Sequence, residues 1–382
     1  MKLLHLADLH LGKVVNEISM LEDQKYILSQ VIDLIDEEKI DAVMMAGDIY
    51  DRKVPPEEAV ALLDDFLSKL AAKKVPVLMI SGNHDSDERL NFGSRIFSKN
   101  GIYVAGKYNG QINKVTIEDK YGPVNFYLMP FTERNQVEYY FPDDDTSTYE
   151  AAVNTALSHT GIDYSERNIL LAHLFAISGT SEPELSGSET SAKNVGTIDK
   201  VSSGLFSEFE YTALGHIHRP QKVGSENVRY GGSLLKYSLN EINQSKAFTI
   251  VTINEKGTGP DINLIPIKPL HEMRELKGNF DELMKPENIE FPDDYIFMTL
   301  KDKTPIADAY AIAESRYKNL MGLRYDNSES KLADTEEINE GESGRDFSEM
   351  MADFYKKILG REPEDDEWKI LNEVAKEAGV TE

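Results

Sequence analysis

Seven polar residues of the types that bind divalent metal ions follow short apolar runs in this sequence. They are Asp8, His10, Asp48, Asn83, His173, His216 and His218. The runs cover residues 3–6, 42–46, 78–80, 169–171 and 211–214, and each is short enough to be a buried strand. Because ligands collect at the carboxyl ends of strands in open α/β sheets, we expect the five strand ends to converge on one site.

The spacing of these residues suits two metal ions rather than one. Asp8 and His10 are two positions apart, as are His216 and His218. In extended backbone such pairs point to the same side, so each pair can bind an ion jointly. One bridging carboxylate, for which we choose Asp48, would hold two divalent ions about 3.5–4 Å apart, as in two-metal hydrolytic sites. Two carboxylates and five neutral ligands would leave about +2 on the ions, which attracts a phosphodiester and stabilises its transition state.

Two residues beside Asn83 offer acid–base chemistry. His84 follows this ligand directly and is not needed to bind metal, so we predict that it donates a proton to the leaving oxygen. Asp85 comes next, and we predict that its carboxylate fixes the tautomer of His84.

The blocks that carry these residues resemble the calcineurin-like metallophosphoesterases, whose pattern runs DxH, GDxxDR, GNHD/E, a lone His and GHxH. The chain matches it with Asp8/His10, Gly47-Asp48-Ile49-Tyr50-Asp51-Arg52, Gly82-Asn83-His84-Asp85, His173 and Gly215-His216-Ile217-His218. The opening HLADLHLGK and the stretches ALGHIHRPQKV and VRYGGSLLKYS resemble more narrowly the SbcD family of bacterial nuclease subunits, over roughly residues 1–320. One departure is Gly231-Gly232-Ser233-Leu234, where that family is expected to have SGSP.

The resemblance implies a ligand set, an activity and partners. It implies that one ion is held by Asp8, His10, Asp48 and His218, and the other by Asp48, Asn83, His173 and His216. It implies a Mn²⁺-dependent DNA nuclease of repair and recombination, with ATP-dependent double-strand exonuclease and single-strand endonuclease activity. A homodimer, a capping domain after the catalytic one and an SbcC-like ATPase as partner are also implied.

The predicted fold class is α/β: a metallophosphoesterase β-sandwich flanked by helices, with a smaller α+β capping domain and C-terminal helices. We predict a nuclease domain over residues 1–268 and a capping domain over residues 269–325. An acidic linker of residues 326–346 and a helical partner-binding segment of residues 347–382 follow. The apolar face of that segment comprises Phe347, Met350, Met351, Phe354, Ile358 and Leu359 in one helix, and Trp368, Leu371, Val374 and Ala375 in the next.

Apolar periodicity predicts further helices in the first 320 residues. They end near Lys39, begin after Pro55-Pro56, and cover residues 87–99, 147–159 and 305–320. Residues 102–130 are predicted to add strands at the edge of the first sheet. Residues 174–196 form a long Ser/Gly/Thr-rich loop, of a length that is usually functional or mobile.

Composition narrows the class of protein. In 382 residues, 40% are apolar, which suffices for a sizeable core, and the absence of cysteine excludes disulfides and thiolate sites. No apolar run is long enough to cross a membrane, so we expect a soluble cytoplasmic protein. The net charge of −26 counts against a nucleic-acid ligand, because DNA-binding domains usually carry a basic footprint.

Other interpretations of the same residues remain open. His173, His216 or His218 taken singly would be more often a structural histidine than a ligand, whereas five ordered blocks together favour a metal site. His5, His159 and His271 lie outside every block, and we predict structural roles for them. Three function classes follow: a DNA nuclease, a phosphoesterase of the same site acting on small esters or phosphoproteins, and a non-catalytic scaffold, which the intact ligand set disfavours.

Overall fold

In the computed structural model, residues 1–186, 200–326, 351–352, 355, 361 and 363–377 are described. The strands are β1 Lys2–Leu6, β2 Val14–Val15, β3 Ile18–Ser19, β4 Ala42–Ala46, β5 Val77–Ile80, β6 Ile102–Ala105, β7 Asn113–Asp119, β8 Gly122–Leu128, β9 Arg167–His173, β10 Phe175–Ile177, β11 Lys200–Ser202, β12 Tyr211–Gly215, β13 Gln221–Val223, β14 Ser225–Tyr230, β15 Ala247–Ile253, β16 Pro260–Pro266, β17 Met273–Gly278, β18 Tyr295–Leu300 and β19 Asn319–Tyr325. The helices are α1 Leu21–Glu38, α2 Glu57–Ala72, α3 Asp87–Asn91, α4 Ser94–Phe97, α5 Arg134–Tyr140, α6 Tyr149–Ser158, α7 Phe280–Leu283, α8 Ala309–Glu314 and α9 Asp365–Glu377.

Two six-stranded sheets carry the predicted ligands. The first has the order β16-β15-β1-β4-β5-β6 and the second β13-β14-β12-β9-β8-β7. β1, β4, β5 and β6 run parallel, as do β8, β9, β12 and β14. Parallel strands end at one edge of a sheet, so the loops after β1, β4 and β5 emerge together, as do those after β9 and β12.

The sheets pack face to face, and helices cover their outer faces. Strand residues from both sheets, such as Met44 and Ile80 from the first and Phe126 and Ile169 from the second, form one buried cluster. A second cluster joins the other face of the first sheet to α1 and α2, and a third joins the second sheet to α6. The predicted β-sandwich flanked by helices is confirmed.

The chain divides into two compact units. The first comprises Met1–Glu275, Phe291–Phe297 and Glu314–Gly322, and the second comprises Leu276–Glu290, Met298–Ala313 and Leu323–Glu382. β17, β18 and β19 form a separate three-stranded sheet in that order. Residues 269–275, 291–297 and 314–322 of the predicted capping domain belong to the first unit, and the domain boundaries at residues 268 and 325 stay predictions.

Three predicted elements differ from the observed ones. The helix expected over residues 87–99 is interrupted at Gly93, whose φ is +76°. The side chain of Phe92, just before this interruption, is 82% exposed. The helix expected over residues 305–320 is limited to α8. β7 and β8 belong to the second sheet, not to the edge of the first, because β8 pairs with β9. Apolar runs identify strands, but the partner of a strand is set by distant residues.

Parts of the C-terminal predictions lie outside the described residues. This applies to the linker beyond residue 326, to nearly all of the apolar face predicted for the first C-terminal helix, and to positions 187–196 of the long loop. The second C-terminal helix is present as α9. Its residues Trp368 and Leu371 are both partly buried and lie three positions apart. Among the described helices, none is long and apolar enough to cross a membrane.

Candidate two-metal site

The loops after five parallel strands bring the seven predicted ligands together between the ends of the two sheets. Two glycines make this approach possible. A Cβ on Gly47 would lie 2.4 Å from His173 Nδ1, and one on Gly215 would lie 1.9 Å from the carbonyl oxygen of Ala46. Any side chain at these two positions would push the sheets apart. The glycines of the GDxxDR and GHxH blocks therefore let the backbone of one sheet touch the other.

Four of the seven ligands have backbone conformations that L-residues rarely adopt. φ is +52° at Asp8, +45° at His10, +50° at Asp48 and +102° at His216. Such residues cost about 1–3 kcal/mol each and persist where the surrounding structure imposes them, often at functional sites. Here the strands and the inter-loop hydrogen bonds impose them: the amide nitrogens of Asp8 and His10 donate to the carbonyl oxygens of Gly47 and Asp48.

One group of ligands comprises Asp8, His10 and His218. The Nε2 atoms of His10 and His218 lie 3.1 Å apart, and both rings are buried. Asp8 is fully buried, and its Oδ1 accepts a hydrogen bond from the backbone nitrogen of His216. Its Oδ2 has no hydrogen-bond partner among the described residues. One ligand atom from each of the three residues fits within 4.8 Å of the others.

The second group surrounds His173. Its Nε2 lies 3.0 Å from Asn83 Oδ1 and 3.3 Å from Asp48 Oδ2. His216 Nδ1 lies 3.2 Å from the same Asn83 oxygen. Asp48 Oδ2 is also 3.7 Å from His10 Nε2, so this carboxylate lies between the two groups. That position is the one predicted for the bridging ligand.

Burial and mutual charge shift the pKa values of the ligands. Burial lowers the pKa of His10 to about 4 and that of His216 to about 3, and it raises the pKa of Asp8 to about 6. At His173 burial is outweighed by the negative charge of Asp48, which raises the pKa to about 9. His173 therefore stays positively charged beside Asp48 at neutral pH. A bound metal ion would take over the role of this positive charge.

The ring nitrogens that face away from the cluster orient the histidines. His173 Nδ1 donates to the carbonyl oxygen of Ala46 at 2.9 Å. His10 Nδ1 lies 3.4 Å from Asp51 Oδ1, which also contacts Lys13 Nζ at 2.6 Å. Because a carbonyl oxygen can only accept a hydrogen bond, Nδ1 of His173 carries a proton, and Nε2 of both rings is directed inward, as in metal-binding histidines.

The predicted relationship between His84 and Asp85 is wrong. His84 Nδ1 donates to the carbonyl oxygen of Asp51 at 2.9 Å, so this carbonyl fixes the tautomer. Asp85 instead accepts hydrogen bonds from the backbone nitrogens of Ile49, Tyr50 and Gly82 at 2.8–3.0 Å. Its carboxylate ties the GNHD loop to the GDxxDR loop. The two residues are adjacent in sequence, but their side chains point in different directions.

The donor set fits divalent metal ions. Four imidazoles, two carboxylates and one amide oxygen converge, with no thiolate, and such ligands suit ions of the Mn²⁺ and Zn²⁺ class. Asp8 Oδ2 is a buried carboxylate oxygen without a partner in the described part of the chain, and two imidazole nitrogens face each other at 3.1 Å. A buried acceptor left unpaired costs free energy that a cation would offset.

Several residues around the site could not be found by sequence reasoning. Glu241 and Lys246 are buried behind His218, and no motif contains them. Ser233 lies in the segment Gly231–Leu234, which departs from the SGSP expected in the SbcD family. Its backbone N–H donates to the carbonyl oxygen of His218 at 3.1 Å, so this segment contacts a predicted ligand. A Glu and a Lys five positions apart in a polar loop carry no signal of burial.

The three remaining histidines have partners outside the ligand set. His5 Nδ1 lies 3.0 Å from the hydroxyl of Tyr211, His159 Nε2 lies 2.8 Å from Asp144, and His271 Nδ1 lies 2.9 Å from Asp23. These contacts agree with the structural roles predicted for them.

Several known proteins are similar to this chain. The calcineurin-like phosphoesterase family matches residues 1–220. The SbcD subunit of the nuclease SbcCD from Staphylococcus saprophyticus is 36% identical over 329 residues, which is 85% of this chain and 84% of that protein. Among solved structures, a dimetal phosphatase from Danio rerio is 12% identical, with a TM-score of 0.38 over 70% of this chain and 99% of its own. The phosphoesterase Yfce from E. coli is 11% identical, with a TM-score of 0.28 over 66% of this chain and 88% of its own.

Proposed function

Because this chain belongs to the calcineurin-like phosphoesterase family, and within it to the SbcD nuclease subunits, we propose that it hydrolyses phosphodiester bonds of DNA with two divalent metal ions. It is the nuclease subunit of a complex with an SbcC-like ATPase. In that complex it acts as an ATP-dependent double-strand exonuclease and a single-strand endonuclease in DNA repair and recombination.

The observation that carries this proposal is the position of Asp48 between two groups of ligands. Its Oδ2 is 3.3 Å from His173 Nε2 and 3.7 Å from His10 Nε2. One ion would be held by Asp8, His10, Asp48 and His218, and the other by Asp48, Asn83, His173 and His216. When bound, the two ions would supply Lewis-acid stabilisation of the charge that develops on the phosphoryl oxygens. Mn²⁺ is the ion that we expect at both positions.

His84 is the residue proposed to donate a proton to the leaving oxygen. Its ring packs edge to face on His10, with centroids 4.9 Å apart, and its Nδ1 proton is held by the carbonyl oxygen of Asp51. Nε2 is therefore the atom that would carry the transferred proton, and the imidazolium form delivers it.

A homodimer is the proposed oligomeric state. Phe92 is 82% exposed and Ile96 67% exposed, in the irregular segment that directly follows the GNHD loop. Large apolar side chains exposed close together in the sequence are typical of interaction surfaces. The SbcD resemblance implies a homodimer, and the proposal is that a second copy of the chain covers these two residues.

The C-terminal segment is the proposed binding site for the ATPase. α9 is amphipathic, with Trp368 and Leu371 on one face and charged residues such as Glu367 and Lys369 beside them. An amphipathic helix of this kind binds by inserting its apolar face into a groove of a partner. The activity of the nuclease on duplex ends would depend on that attachment.

A second candidate function is hydrolysis of small phosphodiesters or phosphoproteins by the same site. The net charge of −26 favours it, because an acidic chain repels a polyanion over its surface as a whole. The extended similarity to an SbcD subunit favours DNA, and the cationic charge needed to attract it would come from the two ions and from the ATPase.

A nuclease assay separates the two functions. Linear duplex DNA and a single-stranded circle would be offered with Mn²⁺, with and without the ATPase and ATP, beside bis(p-nitrophenyl) phosphate. We expect ATP-dependent shortening of the duplex only in the complex, and chelation should abolish it. Hydrolysis of the small ester alone, with both DNA substrates intact in the complex, would contradict the nuclease proposal and support the second function.

A further inference from the structure

A buried ion pair outside every sequence motif lies behind His218. Glu241 is fully buried and Lys246 is 6% exposed, and Lys246 Nζ donates to Glu241 Oε2 at 2.6 Å. Both residues lie in the loop between β14 and β15. Removing two charges from water costs free energy that apolar residues of similar volume would not incur, so such a pair contributes little to stability. Its presence therefore calls for an explanation in terms of what it contacts.

The pair contacts His218 at both its ring and its backbone. Glu241 Oε1 lies 3.6 Å from His218 Nδ1. Lys246 Nζ donates to the carbonyl oxygen of His218 at 2.8 Å and to Ser233 Oγ at 2.8 Å. The opposite ring nitrogen, Nε2, faces His10 in the ligand cluster at 3.1 Å. Glu241 Oε2 thus accepts from the ammonium group, and Oε1, which also accepts a hydrogen bond from Ser238 Oγ at 3.3 Å, faces the imidazole.

We propose that Glu241, held in place by Lys246, is a positioning residue that keeps the His218 proton on Nδ1 and its Nε2 lone pair directed into the metal site. An ionised carboxylate can only accept a hydrogen bond, so the ring nitrogen beside it must be the protonated one. The inference deepens the proposed function. It rests on that proposal only for the assumption that His218 Nε2 binds a metal ion. Glu241 would do for His218 what the Ala46 carbonyl does for His173.

The contact between Glu241 and Lys246 predicts what happens when Glu241 is replaced by the neutral residue Gln. In Glu241→Gln, the ammonium group of Lys246 can only donate, so the amide oxygen rather than the NH₂ group should face it, which turns the NH₂ group toward His218 Nδ1. The ring should then carry its proton on Nε2, where it blocks metal binding. In Glu241→Gln with Lys246→Met, no ammonium remains, and the amide oxygen can turn back to His218. The double variant should therefore restore the Nδ1 proton that the single variant loses.

The tautomer is measured on the metal-free full chain. Long-range ¹H–¹⁵N spectra of protein labelled with [¹⁵N]histidine distinguish the two tautomers, and the His218 signals are assigned by their loss in His218→Gln. We expect the Nδ1–H form in the native chain, the Nε2–H form in Glu241→Gln, and the Nδ1–H form again in the double variant. An unchanged tautomer in Glu241→Gln would overturn the proposal. If the single variant does not fold, an Nε2–H form in the folded double variant would overturn it equally.

Metal affinity gives an independent readout. Loss of such a partner typically weakens metal binding about 10–100-fold. Calorimetry with MnCl₂ should show that loss for one of two ions in Glu241→Gln, and a recovery of at least part of it in the double variant. Glu210→Gln is the matched control, because Glu210 is also buried and ion-paired, with Lys256 at 2.8 Å, but precedes the opposite end of β12.

Two outcomes of the calorimetry would overturn the positioning role. One is an equal loss for both ions in Glu241→Gln together with the same loss in Glu210→Gln, since this indicates general damage to the fold. The other is an undiminished affinity for both ions. Neither measurement uses DNA, so a chain that cleaves no DNA would refute the proposed substrate and leave this inference to be decided by the spectra.

Discussion

Oδ2 of Asp48 lies 3.3 Å from Nε2 of His173, and the two residues come from different sheets. The same oxygen is 3.7 Å from Nε2 of His10. Asp48 thus presents one carboxylate oxygen to the inward-facing Nε2 of a histidine in each group, whereas Asp8 approaches His173 only at Nδ1, at 4.0 Å. The first prediction follows from this position.

Asp48→Asn should lose at least one of two bound Mn²⁺ ions, because an amide offers only a neutral oxygen where a bridge between two cations needs an anionic one. Asn suits the test better than Ala, since φ at this position is +50° and Asn tolerates the left-handed region. Calorimetry of the native chain should show two ions. Asp65→Ala, an exposed change on α2, is the control. Two ions bound undiminished by Asp48→Asn would refute the bridging assignment.

His84→Ala should retain both ions and cleave DNA about 10²–10⁴-fold more slowly, because it removes a positioned acid without removing a ligand. The defect should shrink with bis(p-nitrophenyl) phosphate, whose leaving group needs no proton. Rates on both substrates are compared at saturating Mn²⁺, with metal content measured alongside. Loss of bound metal, or the same slowing on both substrates, would place His84 among the ligands instead.

His5→Gln should make the protein less sensitive to acid. Burial, together with the charge of Arg229, lowers the pKa of His5 from 6.5 to about 3. A histidine with a depressed folded-state pKa binds its proton mainly after unfolding, so stability falls as pH decreases from about 6.5 to about 3. The slope is about 1.4 kcal/mol per pH unit for one proton. This contribution should disappear in the variant.

Urea unfolding at pH 7, 6 and 5 measures that slope. His159→Gln is the control, because His159 is a partly exposed histidine paired with Asp144. Parallel curves for the native chain and His5→Gln would show that His5 takes no part in acid unfolding.

Phe92→Asp combined with Ile96→Asp should convert the proposed dimer to a monomer, because two carboxylates would be buried against a second copy. Sedimentation velocity at micromolar concentration measures the oligomeric state. Leu264→Asp, at an exposed position of β16, should leave it unchanged. A native chain that sediments as a monomer over the whole concentration range would contradict the dimer directly.

Trp368→Glu combined with Leu371→Glu should abolish binding of the SbcC-like ATPase, because both changes fall on the apolar face of α9. A chain ending at Tyr325 should behave in the same way and still bind metal ions. Co-purification of the two proteins measures the interaction, with Ile370→Glu, at an exposed position of the same helix, as the control. Full stoichiometry in the double variant would exclude α9 as the contact.

The sequence was sufficient to identify the ligand-bearing strand ends, because a short apolar run followed by Asp, His or Asn is a local pattern. β4 and the ends of β1 and β5 therefore lie where they were expected, whereas β12 runs one residue further and β9 two residues further, so that it includes the ligand His173. What could not be predicted depends on distant contacts. The pairing of β8 with β9, the carbonyl of Asp51 at His84 and the carboxylate of Glu241 at His218 all join residues that lie far apart in the sequence.

The antiparallel pairing of β1 with β15 has a consequence for biosynthesis. Lys2 pairs with Thr252, so β1 leaves the ribosome long before β15, the strand that completes its hydrogen bonding. His218, the final ligand, is made 210 positions after Asp8. At about 5–20 residues per second, the nascent chain spends on the order of ten to forty seconds without a complete ligand set. Translation thus delays the complete ligand set until the loop after β12 has been made, and the pairing of β1 with β15 comes later still.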